Sequence, residues 1–156
     1  MVELKENLQD FVGSRLLRPE LKEYFVDEIR EVEGTVYRGL PFPLHLLKVG
    51  GQVEDWHGSG HWTLDMTTAK AFSKDYVNED YMYELIEERG EANVEFVKVI
   101  LTCDNIKGIE LYKLLEEHSI QGFDAELEIT TIDSRYIISS VKEDGIYYYV
   151  NVKQVQ

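Results

Sequence analysis

The sequence predicts an α+β fold, with helices first and then a mostly antiparallel sheet. Three observations carry this. Residues 3–32 place apolar side chains at helical spacing. The last third of the chain alternates apolar and polar residues in short runs rich in Val, Ile, Thr and Tyr. An "EDG" turn at 143–145 joins two of those runs, and Asp-Gly favours the primed turns of hairpins. With 156 residues, the chain is expected to be a single domain over 1–156. Domains of this size hide about 68–70% of their unfolded surface. A hydrophobic content of 44% is that of a globular protein.

Each element follows in order. Leu4, Leu8 and Phe11 share one helical face, and Leu21, Phe25 and Ile29 share another. Pro19 separates the two helices and suits a first helical turn. "GTVYRGLPF" reads as a short strand ended by Gly39 and Pro41. Residues 48–61, with Gly50, Gly51, Gly58 and Gly60, read as a loop. "HWTLD" is a short strand, and "MTTAKAFSKDY" a helix with Asp65 or Thr67 as its N-cap. Residues 75–93 are compatible with a helix or an acidic loop. "VEFVKVILT" is a strand with one well-buried end. "GIELYKLLEEH" is a helix, with Ile109, Leu111, Leu114 and Leu115 inward. "AELEITTI", "RYIISSV" and "IYYYVNV" complete the sheet.

Bulk properties narrow the function. The net charge of −14 repels a phosphate backbone, so nucleic-acid binding is not expected. A basic protein partner would be attracted and steered in. The single cysteine, Cys103, excludes an internal disulfide framework and fits a reducing compartment. It closes an apolar strand and reads as a packed thiol. No run is apolar enough to span a bilayer. The charged "MVELKENLQD" lacks a signal peptide's apolar core. A soluble, cytoplasmic protein is expected. The four histidines, His45, His57, His61 and His118, are scattered, so no metal site is expected.

Three elements bear reactive side chains. Glu126 and Glu128 are i and i+2, which on a strand share a face. Their repulsion raises the pKa of at least one unless a cation lies between them. An isolated Glu-x-Glu is more often an acidic exposed face. Arg38, before Gly39, has the chemistry for bidentate phosphate binding with close backbone approach, or for a surface ion pair. In "GHWTLD", His61 and Thr63 share one face and Trp62 takes the other, with Trp62, Ala69 and Phe72 reading as packing residues.

The order and spacing of these elements resemble the ADP-ribosyltransferase fold of the arginine–serine–glutamate class, seen in bacterial toxins, phage enzymes and their eukaryotic relatives. The resemblance covers about residues 34–152, with 1–33 as an N-terminal helical region. It implies a two-sheet core with an NAD cleft. It also implies a mono-ADP-ribosyltransferase, using NAD as co-substrate and no metal, that modifies a protein acceptor and releases nicotinamide. By this resemblance Arg38 binds the pyrophosphate side of NAD, and the backbone at Gly39 grips the nicotinamide carboxamide. His61, Trp62 and Thr63 stand where the family has Ser-Thr-Ser, among the cofactor-binding residues. Glu128 is the catalytic glutamate. Glu126 stands where arginine-modifying members have Glu. Residues 117–125 match the turn that contacts the target, with Phe123 as its aromatic.

His61 replaces the serine that holds the catalytic glutamate and the NAD ribose; a histidine can donate the same hydrogen bond. The acceptor is expected to be an arginine on a basic, host-derived protein, reached from the cytoplasm as by a phage enzyme or intracellular effector. NAD hydrolysis, transfer to nucleic acid, and a decayed binding domain on the same fold are the alternatives.

Overall fold

The computed structural model describes residues 4–14, 17–55, 59–75, 87, 95–120 and 127–155, with the backbone alone for 72–75. The two N-terminal helices are α1 (Leu4–Ser14) and α2 (Pro19–Glu28). Pro19 opens α2, where its missing N–H leaves no intrahelical bond unmade. Leu8, Phe11 and Val12 of α1 are buried with Leu21 and Phe25 of α2. Ile29, expected on that face, is instead exposed, because α2 ends at Glu28 and Ile29 turns into extended backbone.

The strands are β1 (Arg30–Glu31), β2 (Thr35–Pro43), β3 (Gln52–Glu54), β4 (Ser59–Thr63), β5 (Phe96–Asp104), β6 (Lys107–Gly108), β7 (Glu128–Ile132), β8 (Arg135–Asp144) and β9 (Tyr147–Val155). A 3-10 turn, Leu44–Leu46, follows β2. Helix α3 (Met66–Asp75) follows β4, and α4 (Leu111–Glu117) follows β6. Seven strands form one sheet in the order β3-β8-β9-β5-β2-β4-β7; β1 and β6 form a small second sheet. Every pair is antiparallel except β5 with β9. The β2–β4 junction is a single residue pair, Tyr37 with Thr63. The β4–β7 ribbon is thus a nearly separate leaf.

One face of the larger leaf and the inner face of β4–β7 enclose a core of Val36, Phe42, Trp62, Val99, Leu101, Ile129, Tyr136 and Val150. A second core joins α1 and α2 to α4, with Ile109 and Ile120. Ala69 seats α3 on β5 and β9 beside Ile100 and Tyr147. Asp65 is the α3 N-cap: its carboxylate accepts the Thr67 N–H at 3.2 Å and the Thr68 hydroxyl at 2.8 Å.

Four expectations are corrected. First, β2 runs on through Gly39 and Pro41 to Pro43. The Leu44 N–H donates to the Glu95 carbonyl at 2.8 Å, so even-numbered residues of β2 aim their N–H at β5 and odd-numbered ones aim away. Pro41 and Pro43 therefore lack an N–H only on the edge where β4 has already left. Second, the expected loop at 48–61 contains β3 and the start of β4. Third, β7 begins at Glu128, because Leu127 has a left-handed backbone (φ +47). The strand starts three residues later than the expected Ala125. Fourth, the hairpin loop is Gly145–Ile146, one residue beyond the expected turn centre. Gly145 takes φ +66 at the first loop position. Glu126, Phe123 and most of 75–93 lie outside the described residues.

Cys103 is 2% exposed, and burial pushes its thiol up from 9.0 to about 11. Native protein at pH 8 is expected to resist alkylation, with full reaction on addition of denaturant. Because the folded-state value is raised, this burial contributes fully below pH 9 and is lost as pH rises through about 11. Rapid labelling of native protein at pH 8 would contradict the packing of β5.

Candidate active site

Strand β4 is paired on both edges, and unequally. Toward β7 it pairs along its length: Ser59 with Ile132, His61 with Thr130, Thr63 with Glu128. Toward β2 it pairs only at Thr63 with Tyr37. Beyond that pair, β2 from Arg38 to Pro43 and β4 from Ser59 to Trp62 diverge as a fork. Gly39 lies on β2 at the fork. Its N–H and carbonyl point away from β5 by the alternation described above, toward the edge β4 does not occupy. Gly39 is buried, so its N–H and carbonyl are turned into the fork rather than to bulk water, where a planar amide could meet both.

Across the ribbon, directly opposed residues share a face, so Glu128, Thr130, His61 and Thr63 face together. Glu128 is 4% exposed. Its Oε2 accepts from the Thr130 hydroxyl at 3.0 Å and lies 2.8 Å from His61 Nδ1. An ionised carboxylate only accepts, so this contact is a hydrogen bond when Nδ1 is the protonated nitrogen. His61 Nε2 lies 3.4 Å from the Ser59 hydroxyl, and the Phe11 ring of α1 packs against the imidazole at 5.8 Å between centroids. The imidazole thus contacts the Glu128 carboxylate, and the N-terminal helix backs it. Thr63 is buried; its hydroxyl accepts the Asp65 N–H at 3.1 Å and shapes the entry to α3.

Trp62 is on the other face. It is 1% exposed and donates its indole N–H to the Tyr136 hydroxyl at 3.2 Å. Its side chain is a core residue, as its packing pattern suggests, and is not placed to touch a cofactor. Arg38 shares that face by alternation with Val36. It is not at a strand end, as the sequence suggests, but within β2, with only 14% of its side chain exposed. Its Nη1 is 3.6 Å from Asp55 Oδ1, is buried, and has no hydrogen-bond partner. An orphaned buried donor on a cation is the kind of atom that a bound anion satisfies.

Asp55 has no clear signal in the sequence, following a Gly-rich stretch. Its carboxylate is fully buried and accepts from Tyr136 (3.0 Å), Thr131 (2.8 Å) and the Ser134 N–H (3.0 Å). Burial, followed by the Asp55 charge, pushes the Tyr136 phenol well above its ordinary range. Thr130 and Ser59 were legible in principle, each two residues along a strand from Glu128 or His61. Among the described residues no cluster of potential metal ligands occurs. No described helix is long and apolar enough to cross a membrane.

Comparison with solved structures finds the ADP-ribosyltransferase Vis, a toxin from Vibrio splendidus, in three structures. TM-scores are 0.63–0.65 at 16–18% identity, over 97% of this chain and 72–74% of Vis. The ADP-ribosyltransferase HopU1 of Pseudomonas syringae pv. tomato matches at a TM-score of 0.51 and 18% identity, over 86% of this chain and 49% of HopU1. No protein-family model matches the sequence, and no curated protein matches it. The chain has the ADP-ribosyltransferase fold.

A Cβ on Gly60 would collide with the Asp55 carboxylate and the Thr131 hydroxyl. Gly60→Ala is therefore expected to cost about 1–3 kcal/mol, read as a lowered urea midpoint. An unchanged midpoint would show that the Asp55 cluster is not tightly packed.

Proposed function

We propose that this chain is an NAD-dependent mono-ADP-ribosyltransferase whose acceptor is an arginine side chain of a protein. The observation that carries the reading is the fork. Glu128 is held by His61 and Thr130 on one side, the Gly39 backbone, turned away from β5 and without a strand partner among the described residues, lies on the other, and Arg38 has a spare donor behind them.

In this reading NAD lies in the fork as substrate. Gly39 binds the carboxamide of nicotinamide through its N–H and carbonyl. Arg38 offers Nη1 to a pyrophosphate oxygen, a charge-assisted contact. Breaking the nicotinamide–ribose bond sends its electron pair to the departing nicotinamide and builds positive charge on the ribose. Glu128, fixed and nearly dry, stabilises that charge. A guanidinium nitrogen of the acceptor then bonds to the ribose carbon, and Glu126 takes the proton it loses. The acidic chain steers a cationic target in and a nucleic acid away. Vis has been crystallised with agmatine, which carries the guanidinium an arginine acceptor presents. Phe123 is assigned to target contact, and Thr63, beside His61, to the cofactor.

Labelled NAD incubated with the protein, and with agmatine or lysate as acceptor, tests the reading. Glu128→Gln is expected to lower both transfer and NAD hydrolysis by about 10²–10³-fold, without loss of the folded state. Glu126→Gln is expected to lose arginine transfer and keep NAD hydrolysis. If both variants transfer at the parent rate, the carboxylates are not catalytic. Label removed by nuclease rather than protease would move the acceptor to nucleic acid.

A further inference from the structure

Beyond the fork itself, the described residues include a buried ionic group that the reaction does not use directly, the Asp55 carboxylate. It lies just after β3, yet it touches four other strands or their ends. The Arg38 guanidinium of β2 is 3.6 Å away. Thr131 of β7 and Tyr136 of β8 donate to it, as does the Ser134 N–H between those strands. The Asp55 N–H in turn donates to the Ser134 carbonyl at 2.9 Å. Gly60 of β4 has no Cβ where the carboxylate sits. A carboxylate with no exposure is costly unless its lone pairs are filled and its charge is met. Three donors fill the lone pairs, and Arg38 meets the charge.

The donors and the charge partner have different consequences. Tyr136, Thr131 and Ser134 fix where Asp55 is. Asp55 then fixes where Arg38 can be, since a guanidinium on a strand of a chain with net charge −14 has many competing acids at the surface. The pairing is not saturated. Nη1 lies within ion-pair range but makes no hydrogen bond, although it is buried. Its position is set while its donor is left over.

We infer that Asp55 is a positioning residue for the substrate anion: it holds Arg38 at the fork with Nη1 free to donate to a pyrophosphate oxygen of NAD. This rests on the reading of Arg38 as the pyrophosphate contact. Asp55 touches no substrate atom itself. It acts through Arg38, and so its effect falls on NAD binding more than on the bond-breaking step.

The experiment is a double-variant cycle on the full chain, with NAD affinity measured by calorimetry and transfer measured alongside. The variants are Arg38→Lys, Asp55→Asn and the pair together. Asn keeps the shape and, with its oxygen toward Thr131 and Ser134, still accepts from both, while its NH2 turns toward Tyr136 and Arg38 and the charge is lost. Each single variant is expected to weaken NAD binding about tenfold, and the double variant no further than the weaker single. In Asp55→Asn, KM for NAD is expected to rise by more than kcat falls; general loosening of the fold would lower kcat at least as much. Should Asp55→Asn bind NAD as the parent does while Arg38→Lys does not, the inference is overturned and the reading of Arg38 stands. Should Arg38→Lys also bind as the parent does, both fall together. If Asp55→Asn does not fold, Tyr136→Phe replaces it, removing one donor from the carboxylate. A KM for NAD raised severalfold supports the inference, and a KM equal to the parent's overturns it.

Discussion

The site depends on how β4 divides its hydrogen bonds. A strand has two edges, and most interior strands pair fully along both. β4 gives five residues to β7 and one to β2. The long pairing fixes register, and register fixes which side chains meet. A slip of one residue would turn His61 away from Glu128 and bring Trp62 to the face it left. The short pairing leaves backbone groups of β2 without a strand partner beside that carboxylate. Glycine at residue 39, with no side chain to fill the fork, and prolines at 41 and 43, which need no N–H partner there, suit an edge of this kind. The sequence of β2 is thus consistent with a strand paired on one side only.

A second constraint works from behind. Trp62, Tyr136 and Asp55 form a buried chain from core to charge, with hydrogen bonds at 3.2 and 3.0 Å. The chain crosses from the β4–β7 leaf to β8, so it ties together two parts of the sheet that the β2–β4 junction joins weakly. Buried polar networks of this type are costly if half filled and specify geometry if complete. Here the carboxylate is filled and one arginine nitrogen is not. Removing a partner from such a cluster is more disruptive than its individual contacts suggest, because the charge that remains is stranded.

Much of the fold was legible because periodicity reports burial. Leu8, Phe11, Leu21 and Phe25, placed inward by spacing, are all buried, and Pro19 and Asp65 mark real helix starts. Glycine and proline misled where they were read as breakers. Gly39 and Pro41 lie inside β2, since what matters for them is which edge is paired, and that depends on a strand distant in sequence. Alternation at Leu127, expected from the Glu-x-Glu pattern, is likewise broken by the left-handed backbone of that residue. At the site, the contact of His61 with Glu128 follows from alternation plus register, and the first of these was readable. Asp55 was not, because its partners come from four later or earlier segments and none shares a motif with it. Arg38 was singled out by type, but its burial and its ion pair are tertiary facts.

The central claim is that the fork between β2 and β4 binds NAD through the backbone groups of Gly39 that face away from β5. Titrating NAD into ¹⁵N-labelled protein and following the amide resonances tests it most directly. The account predicts saturable shifts that are largest at Gly39 and its neighbours in β2 and β4, with the Gly39 amide gaining protection from hydrogen exchange. Saturable shifts confined to another surface, or none at millimolar NAD, would contradict it.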